Sequence, residues 1–440
     1  MLARLAVAAC CFSFLVTPTT AAQRPNVVLI MLDDFGYECV GVNGSTSYKT
    51  PHLDALARGG IRGLRCHVQP LCTPTRVQLM TGQYNIRNYT HFGHLDPGQT
   101  TFGHLFKQAG YDTCIVGKWQ LGRDLTLPKH FGFDQHCLWQ LNRRPPRYAN
   151  AGLEIDGQQV DLSGGKYGPD VVNDYARDFI SSHKDRPFLL YYPMMLTHGP
   201  FQPTPDSKDW NPATQDEKSQ NSPAHFADMV TYADKLIGKL LTRLDEQGLR
   251  KNTLVIVLGD NGTAKGMVSR MGDRIVRGGK ATSTDAGTHV PLIANWPGVI
   301  LPGRELDDLV DSTDFLPTIC AAADVTIPSQ LTVDGVSFLP QLRGEFGQPR
   351  RWVYSWFARS GGPQADFEFA MDKRYKLYRD GRLFDVEADV EEQHPLDPAQ
   401  SPAAQAAQKQ LAAVFNRYQS ARPKAIAAQG EPKGRGRAKE

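Results

Sequence analysis

Three carboxylates and one amide stand where two buried strands should end. The apolar run Asn26–Leu32 stops at Asp33-Asp34, and the run Thr253–Leu258 stops at Gly259-Asp260-Asn261-Gly262. In open α/β sheets, ligands gather beyond the carboxyl ends of the strands. Four oxygen-bearing side chains there would form a hard cage suited to calcium or magnesium, whereas zinc or copper would call for His or Cys. Asp-Asn-Gly is equally at home in a plain turn. Either motif alone reads as a turn; the pair, each after a buried strand, favours a metal.

The second informative segment is Leu71-Cys72-Thr73-Pro74-Thr75-Arg76-Val77-Gln78-Leu79-Met80-Thr81-Gly82. It resembles the sulfatase signature, Cys-x-Pro-Ser/Ala-Arg followed by x-x-x-Leu-x-Thr-Gly, with Thr75 replacing the usual small residue. Other landmarks follow in family order: Arg24-Pro25-Asn26 to Asp34, Thr50 to Ala57, Gly117-Lys118-Trp119, Gly132-Phe133-Asp134, Thr197-His198-Gly199-Pro200, Asp260-Asn261-Gly262, Lys280, Val290-Pro291, Asp314 to Thr318 and Leu383-Phe384-Asp385. Nearly the whole mature chain thus resembles the type I, formylglycine-dependent sulfatases of the alkaline phosphatase-like superfamily.

The resemblance implies a mechanism. Cys72 would be oxidised to 3-oxoalanine (formylglycine), whose hydrate carries two hydroxyls. One attacks sulfur, and loss of the other's proton lets the adduct collapse, splitting one hard step into two. The implied metal ligands are Asp33, Asp34, Asp260, Asn261 and the modified Cys72, around calcium in preference to magnesium. Cys72 should open a helix with Pro74 in its first turn, where Pro costs little, so that the helix N-terminus faces an anion. Arg76 would hydrogen-bond the hydrate. Lys118 and Lys280 would clamp sulfate oxygens and stabilise charge on the leaving oxygen. His198 would be a general acid or sulfate contact.

A lone lysine or histidine is ordinarily a solvated surface residue, and family order is what promotes Lys118, Lys280 and His198. Two departures stand out. The usual Glu-Gly-Gly after the second lysine reads Asp285-Ala286-Gly287, and the usual His after Gly-Lys-Trp is Gln120. Gln120 can line the substrate site by hydrogen bonding, but it cannot exchange a proton near neutral pH.

The implied function is sulfuric ester hydrolysis on a sulfated substrate, with a carbohydrate favoured, after maturation by a formylglycine-generating or sulfatase-maturing enzyme. One alternative is a phosphonate or phosphodiester hydrolase of the same superfamily. Another is a catalytically silent binder of sulfated glycans.

Positioning these residues requires an α/β fold. Apolar runs at Asn26–Leu32, Thr113–Gly117, Pro187–Tyr192, Thr253–Leu258 and Val290–Asn295 alternate with helical patterns, predicting a large, mostly parallel sheet covered on both faces. The helical patterns are His52–Arg58, Thr101–Gln108, Val171–Ser182, Phe226–Gln247 and Asp314–Ala323. Arg143–Gly165 and Phe201–Pro223 read as polar loops around a site. Beyond about residue 340, four short strand candidates and the turn Asp380-Gly381 predict a small antiparallel sheet with a helix over Pro402–Tyr418.

The expected organisation is a signal peptide (1–22), a catalytic α/β domain (23–340), a C-terminal antiparallel-sheet subdomain (341–420) and a disordered basic tail (421–440). Arg4, the apolar run Leu5–Val16 and Thr20-Ala21-Ala22 suit secretion or a periplasmic location, with no transmembrane segment after cleavage. Lipoprotein anchoring at Cys10 is the weaker alternative. The 49 basic and 46 acidic residues leave a net charge of +3, which excludes a case for nucleic-acid binding on composition. The cysteines show no paired, metal-type spacing.

Overall fold

The computed structural model describes residues 24–213 and 220–429; the expected signal peptide, Cys10 and the basic residues of the far C-terminus lie outside them. Sixteen strands form three sheets among these residues. In chain order they are β1 (Asn26–Leu32), β2 (Ile61–His67), β3 (Asp112–Lys118), β4 (Gln135–Trp139), β5 (Gly152–Ile155), β6 (Gln158–Asp161), β7 (Phe188–Pro193) and β8 (Thr253–Gly259). They continue with β9 (Val268–Met271), β10 (Arg274–Arg277), β11 (His289–Asn295), β12 (Arg304–Asp311), β13 (Val353–Phe357), β14 (Phe367–Met371), β15 (Tyr375–Tyr378) and β16 (Leu383–Asp385).

The central sheet has ten strands in the order β12-β2-β11-β8-β1-β7-β3-β4-β5-β6. The pairings are parallel except those of β11 and β5, which run against both neighbours. Side chains alternate across β1: Val27, Leu29 and Met31 enter one apolar cluster, while Val28, Ile30 and Leu32 enter another on the opposite face. That is why the run is apolar from Val27 to Leu32. Each such side chain, fully buried, contributes roughly 1.5–3 kcal/mol. Helices cover both faces; the longest, Phe226–Glu246, turns Met229, Ala233, Leu236, Leu240 and Leu244 inward.

The smaller sheet, β13-β14-β15-β16, is antiparallel, and the Pro402–Tyr418 helix packs with it, capped at Ser401, whose side chain accepts from the Ala404 N–H. Gly381 takes a left-handed φ of 95° in the hairpin at Asp380-Gly381. Arg350 ties this lobe to the main body by pairing with Asp314.

Two expectations need correction. Arg143–Gly165 is not simply a loop: it contains β5 and β6, which extend the sheet edge. The stretch from 421 is not wholly tail-like. Arg422 donates to the Ile86 and Tyr89 carbonyls and stacks 4.2 Å from the Trp356 ring, and Lys424–Ala428 is helical. No helix among the described residues is long and apolar enough to cross a membrane.

Candidate active site

The carboxyl ends of β1, β3, β7 and β8 open at one edge of the sheet, and the singled-out residues follow them directly. Asp33 and Asp34 leave β1, Lys118 ends β3, Met194 to His198 leave β7, and Asp260-Asn261 leave β8. Backbone hydrogen bonds lock these exits: Asp33 N–H to the Leu196 carbonyl (2.9 Å), Thr197 N–H to the Asp33 carbonyl (2.7 Å) and Asp260 N–H to the Leu32 carbonyl (2.9 Å). Gly117 has a φ of 112°, and a Cβ there would lie 2.0 Å from the Pro193 carbonyl oxygen. A glycine is therefore required for β3 to approach β7 and deliver Lys118. Asp34, Gln120 and Ala281 hold positive φ of 58°, 53° and 65°. Such non-glycine conformations cost about 1–3 kcal/mol each and gather where a site over-determines the backbone.

Cys72 arrives from β2, five residues after its end, as the first residue of the Cys72–Thr81 helix. All ten helix residues are buried, and Gly82 ends it at a φ of 66°. This explains the Gly that closes the segment, since a left-handed C-terminal position favours glycine. Thr75 uses its hydroxyl: Oγ1 accepts from Gln69 N–H (3.0 Å) and lies 3.1 Å from the carbonyls of Gln69 and Leu71. The helix N-terminus carries partial positive charge to the Cys72 side chain. The thiol donates to Gln120 Oε1 (2.9 Å), and Lys118 Nζ lies 3.5 Å from its sulfur.

Around it lies a buried charge cluster. Lys118 Nζ donates to both Asp33 carboxylate oxygens (3.1 and 2.8 Å), and Arg147 Nη1 reaches Asp33 Oδ2 at 3.2 Å. Lys280 Nζ donates to Asp34 Oδ2 (2.9 Å), and Arg76 joins Asp260 Oδ2 (3.1 Å) to the Lys118 carbonyl (2.8 Å). Asp34 N–H donates to Asp260 Oδ1 (3.0 Å). Ligand atoms of Asp33, Asp34 and His198, and those of Asp33, Cys72 and Asp260, form two sets lying mutually within 4.8 Å. Carboxylates at such separations repel by roughly 3–4 kcal/mol per pair at an effective dielectric of about 20. Cations must offset that.

The acidities follow the same balance. Burial alone would raise Asp33, but Lys118, Arg147 and Arg76 outweigh it and hold the carboxyl well below its usual range. Asp34 is lowered against burial chiefly by Lys280, with Lys118 adding to it. Asp260 is pushed up to about 7 by burial and by the neighbouring Asp33 charge. Burial pushes His198 down to about 3, so its imidazole is neutral. Its Nδ1 lies 2.6 Å from the Gly199 carbonyl oxygen, a contact that needs the proton on Nδ1 and leaves Nε2 facing Asp34 Oδ2 at 3.8 Å.

The donor set fits a hard divalent cation. Asn261 Nδ2 bonds Asp34 Oδ1 and the Gly262 carbonyl, while its own Oδ1 is buried with no hydrogen-bond partner. A buried acceptor of this kind calls for a ligand. Three carboxylates and an amide supply oxygen donors of the type calcium takes.

The structure therefore brings Asp33, Asp34, Cys72, Arg76, Lys118, Gln120, His198, Asp260, Asn261 and Lys280 into one connected neighbourhood. The altered segment beyond Lys280 faces elsewhere: Asp285 pairs with His289 Nδ1 (3.1 Å), which stacks against Tyr37 and His67. Sequence reasoning missed Arg147. It is buried, holds Asp33 and lies 4.1 Å from the Trp139 ring. Its one signal is a charged residue in the segment just after a strand that ends at this sheet edge.

Residues 25–325 match the sulfatase family model, and residues 280–421 match the model of the C-terminal region of N-sulphoglucosamine sulphohydrolase. Arylsulfatase A of Bos taurus is 33% identical over 384 residues, covering 77% of this chain and 71% of the relative. N-acetylgalactosamine-6-sulfatase of Mus musculus is 31% identical, covering 74% and 68%. Among solved structures, Ps i-CgsB superposes with a TM-score of 0.78 at 24% identity, over 91% of this chain and 94% of that one. A protein solved with its substrate D-glucosamine-2-N,6-O-disulfate gives a TM-score of 0.72 at 20% identity, over 94% and 100%. With two thirds of its length under one family model and its strand ends converging on the signature cysteine, the chain belongs to the sulfatase family and is a sulfuric ester hydrolase.

Proposed function

We propose that the protein removes sulfate from a sulfated carbohydrate, using formylglycine made from Cys72 and a calcium ion held by Asp33, Asp34, Asp260, Asn261 and residue 72. The observation that carries this reading is the position of the Cys72 side chain. It stands at a helix N-terminus, with Lys118 Nζ 3.5 Å away and with Asp33 and Asp260 in the same 4.8 Å cluster. A nucleophile there meets both positive charge and oxygen ligands. Calcium, when bound, lowers the pKa of a neighbouring hydroxyl and polarises a sulfate oxygen.

The chain's own residues do the rest. Arg76 is fixed at two points, by the Lys118 carbonyl and Asp260, with its Nε buried and without a partner. It orients residue 72 and balances the Asp260 charge. Lys118, bonded to Asp33, and Lys280, bonded to Asp34, present ammonium groups placed to receive sulfate oxygens and to stabilise charge on the departing oxygen. His198 Nε2 faces the cluster and, once protonated in the presence of substrate, would give that proton to the leaving alcohol. Gln120 Oε1 holds the residue 72 side chain without transferring a proton.

Carbohydrate as the substrate class draws on the relatives, which include N-acetylgalactosamine-6-sulfatase, and on export as the sequence suggests it. A formylglycine-generating enzyme is the implied maturation partner. The test pairs peptide mass spectrometry across Cys72 with parallel assays on aryl sulfate, phosphate and phosphonate esters. The expected result is an aldehyde mass at position 72 and preference for the sulfate. Preference for the phosphorus esters would favour the sister activity. Confirmed aldehyde with glycan binding but no sulfate release would favour a silent binder, the reading that Gln120 motivates.

A further inference from the structure

The segment between Asn261 and Lys280 carries a feature the reaction does not use. Residues 262–284 hold Lys265, Arg270, Arg274, Arg277 and Lys280 against a single acid, Asp273, a net of +4 where the entire chain has +3. Its middle is the β9–β10 hairpin. The pairing Met271–Arg274, Arg270–Ile275, Ser269–Val276 and Val268–Arg277 sorts the side chains onto two faces. Ser269, Met271 and Val276 lie on the inner face: Ser269 Oγ bonds the Tyr48 hydroxyl (2.7 Å), and Met271 bridges to Ser45. Val268, Arg270, Ile275 and Arg277 lie on the outer face and are all exposed.

Charged residues on an exposed hairpin also serve simply to keep its edges from pairing. Three observations go beyond that. Among the described residues, none of Lys265, Arg270, Arg274 or Arg277 forms an ion pair, while Lys280 beside them does. Val268 and Ile275, interleaved with the two arginines, remain 54% and 46% exposed, which solvation alone does not favour. The arm is also fixed to the site at its base. Gly278 N–H donates to the Met267 carbonyl (2.9 Å) and Lys280 N–H to the Thr263 carbonyl (3.0 Å). Arg277 stands three positions before Lys280, a reach of at most about 10 Å.

We propose that the outer face of the β9–β10 hairpin, through Arg270 and Arg277, binds further sulfate groups of a sulfated glycan chain whose reacting sugar occupies the site beside Lys280. The substrate is then an oligomer with several sulfates, not an isolated sulfated sugar. This inference rests on the proposed glycan sulfatase activity for the identity of the ligand. Guanidinium groups match planar pairs of anionic oxygens through two parallel N–H donors, and Val268 and Ile275 offer apolar contact to the carbon face of a sugar ring.

The test separates binding from turnover. Binding of sulfated hexasaccharides from chondroitin sulfate, heparin and ι-carrageenan is measured on the full-length Cys72→Ala protein, with and without Arg270→Ala plus Arg277→Ala. The tightest of the three should bind more strongly than a sulfated monosaccharide. Its Kd should rise about tenfold in the double variant, with a shallower dependence on salt. Monosaccharide binding should not change. Unchanged hexasaccharide affinity in the double variant, or no advantage of the hexasaccharide over the monosaccharide, overturns the proposal. Hydrolysis of an aryl sulfate by the matured Cys72 protein tests the underlying activity separately. If that fails while the tenfold change persists, the hairpin stands as a glycan-binding face and the enzymatic reading falls.

Discussion

Two buried ionic clusters in this molecule are built on opposite lines. At the edge of the central sheet, Asp33, Asp34 and Asp260 face Lys118, Lys280, Arg76 and Arg147, yet Asn261 Oδ1 and Arg76 Nε remain without partners. Where the C-terminal lobe meets the main body, a single Arg350 serves Asp314, Thr313 and the Tyr84 hydroxyl. Asp314 in turn accepts from the Asp311 and Val336 N–H groups, and Asp311 accepts from the Thr313 N–H and hydroxyl. The second cluster is saturated and joins two parts of the fold. The first is crowded with charge and still has open valences. Buried polar groups satisfied among themselves hold structure together, whereas buried groups left short of a partner call for a ligand.

Substitutions can break this contrast, and the largest effect belongs at the nucleophile. Cys72→Ala should cut sulfate release by roughly 10⁴-fold or more, with a thermal midpoint close to that of the parent. Retention of most activity would remove residue 72 from the chemistry. Arg350→Met comes next. Stripping the cation from a buried, fully bonded network should cost about 3–5 kcal/mol, seen as a lower urea midpoint, while kcat per folded molecule stays near the parent value. Lys118→Met should show the reverse balance. Arg147 still compensates Asp33, so the stability loss should be smaller than for Arg350→Met, while kcat falls about 10²–10³-fold. Equal stability losses in the two variants would erase the distinction. Arg147→Gln should weaken calcium binding, read by calorimetry, and activity together by about 10–100-fold, as expected for a group that orients a metal ligand.

The smallest effect concerns a buried group kept neutral. Burial, then the nearby His289 charge, push His67 down to about 3 from an ordinary value near 6.5. Between those values the unfolded chain binds a proton that the folded protein does not. Stability is therefore whole above pH 6.5 and falls as the pH drops toward 3. His67→Asn should flatten the urea-midpoint profile between pH 6 and 4; a slope identical to the parent's would exclude His67 as a source of acid sensitivity.

Legibility in the sequence followed the physics of each element. After their first residues, Asn26 and Thr253, β1 and β8 carry no polar side chain because both faces are buried, so their ends, and with them Asp33, Asp34, Asp260 and Asn261, could be located from pattern alone. The Cys72 helix has little amphipathic signal, being buried on all sides, and became legible through its resemblance to a known signature. β2 and β12 were hidden by charge: Arg62 pairs with Glu305 and Arg65 with Asp307 across the two strands, so polar residues sit where an apolar run would be sought. Arg147 was illegible because its partners are Asp33 and Trp139, one of them 114 residues away, and its own surroundings read as a Pro-containing loop.

The most direct measurement is a crystal structure of the calcium-loaded protein, with the ion located by its anomalous scattering. A single ion within about 2.3–2.6 Å of oxygens from Asp33, Asp34, Asp260 and Asn261, with residue 72 at its open side, is the expected result. An ion bound elsewhere, or full activity in crystals whose carboxylate cluster holds no metal, would contradict the proposed centre.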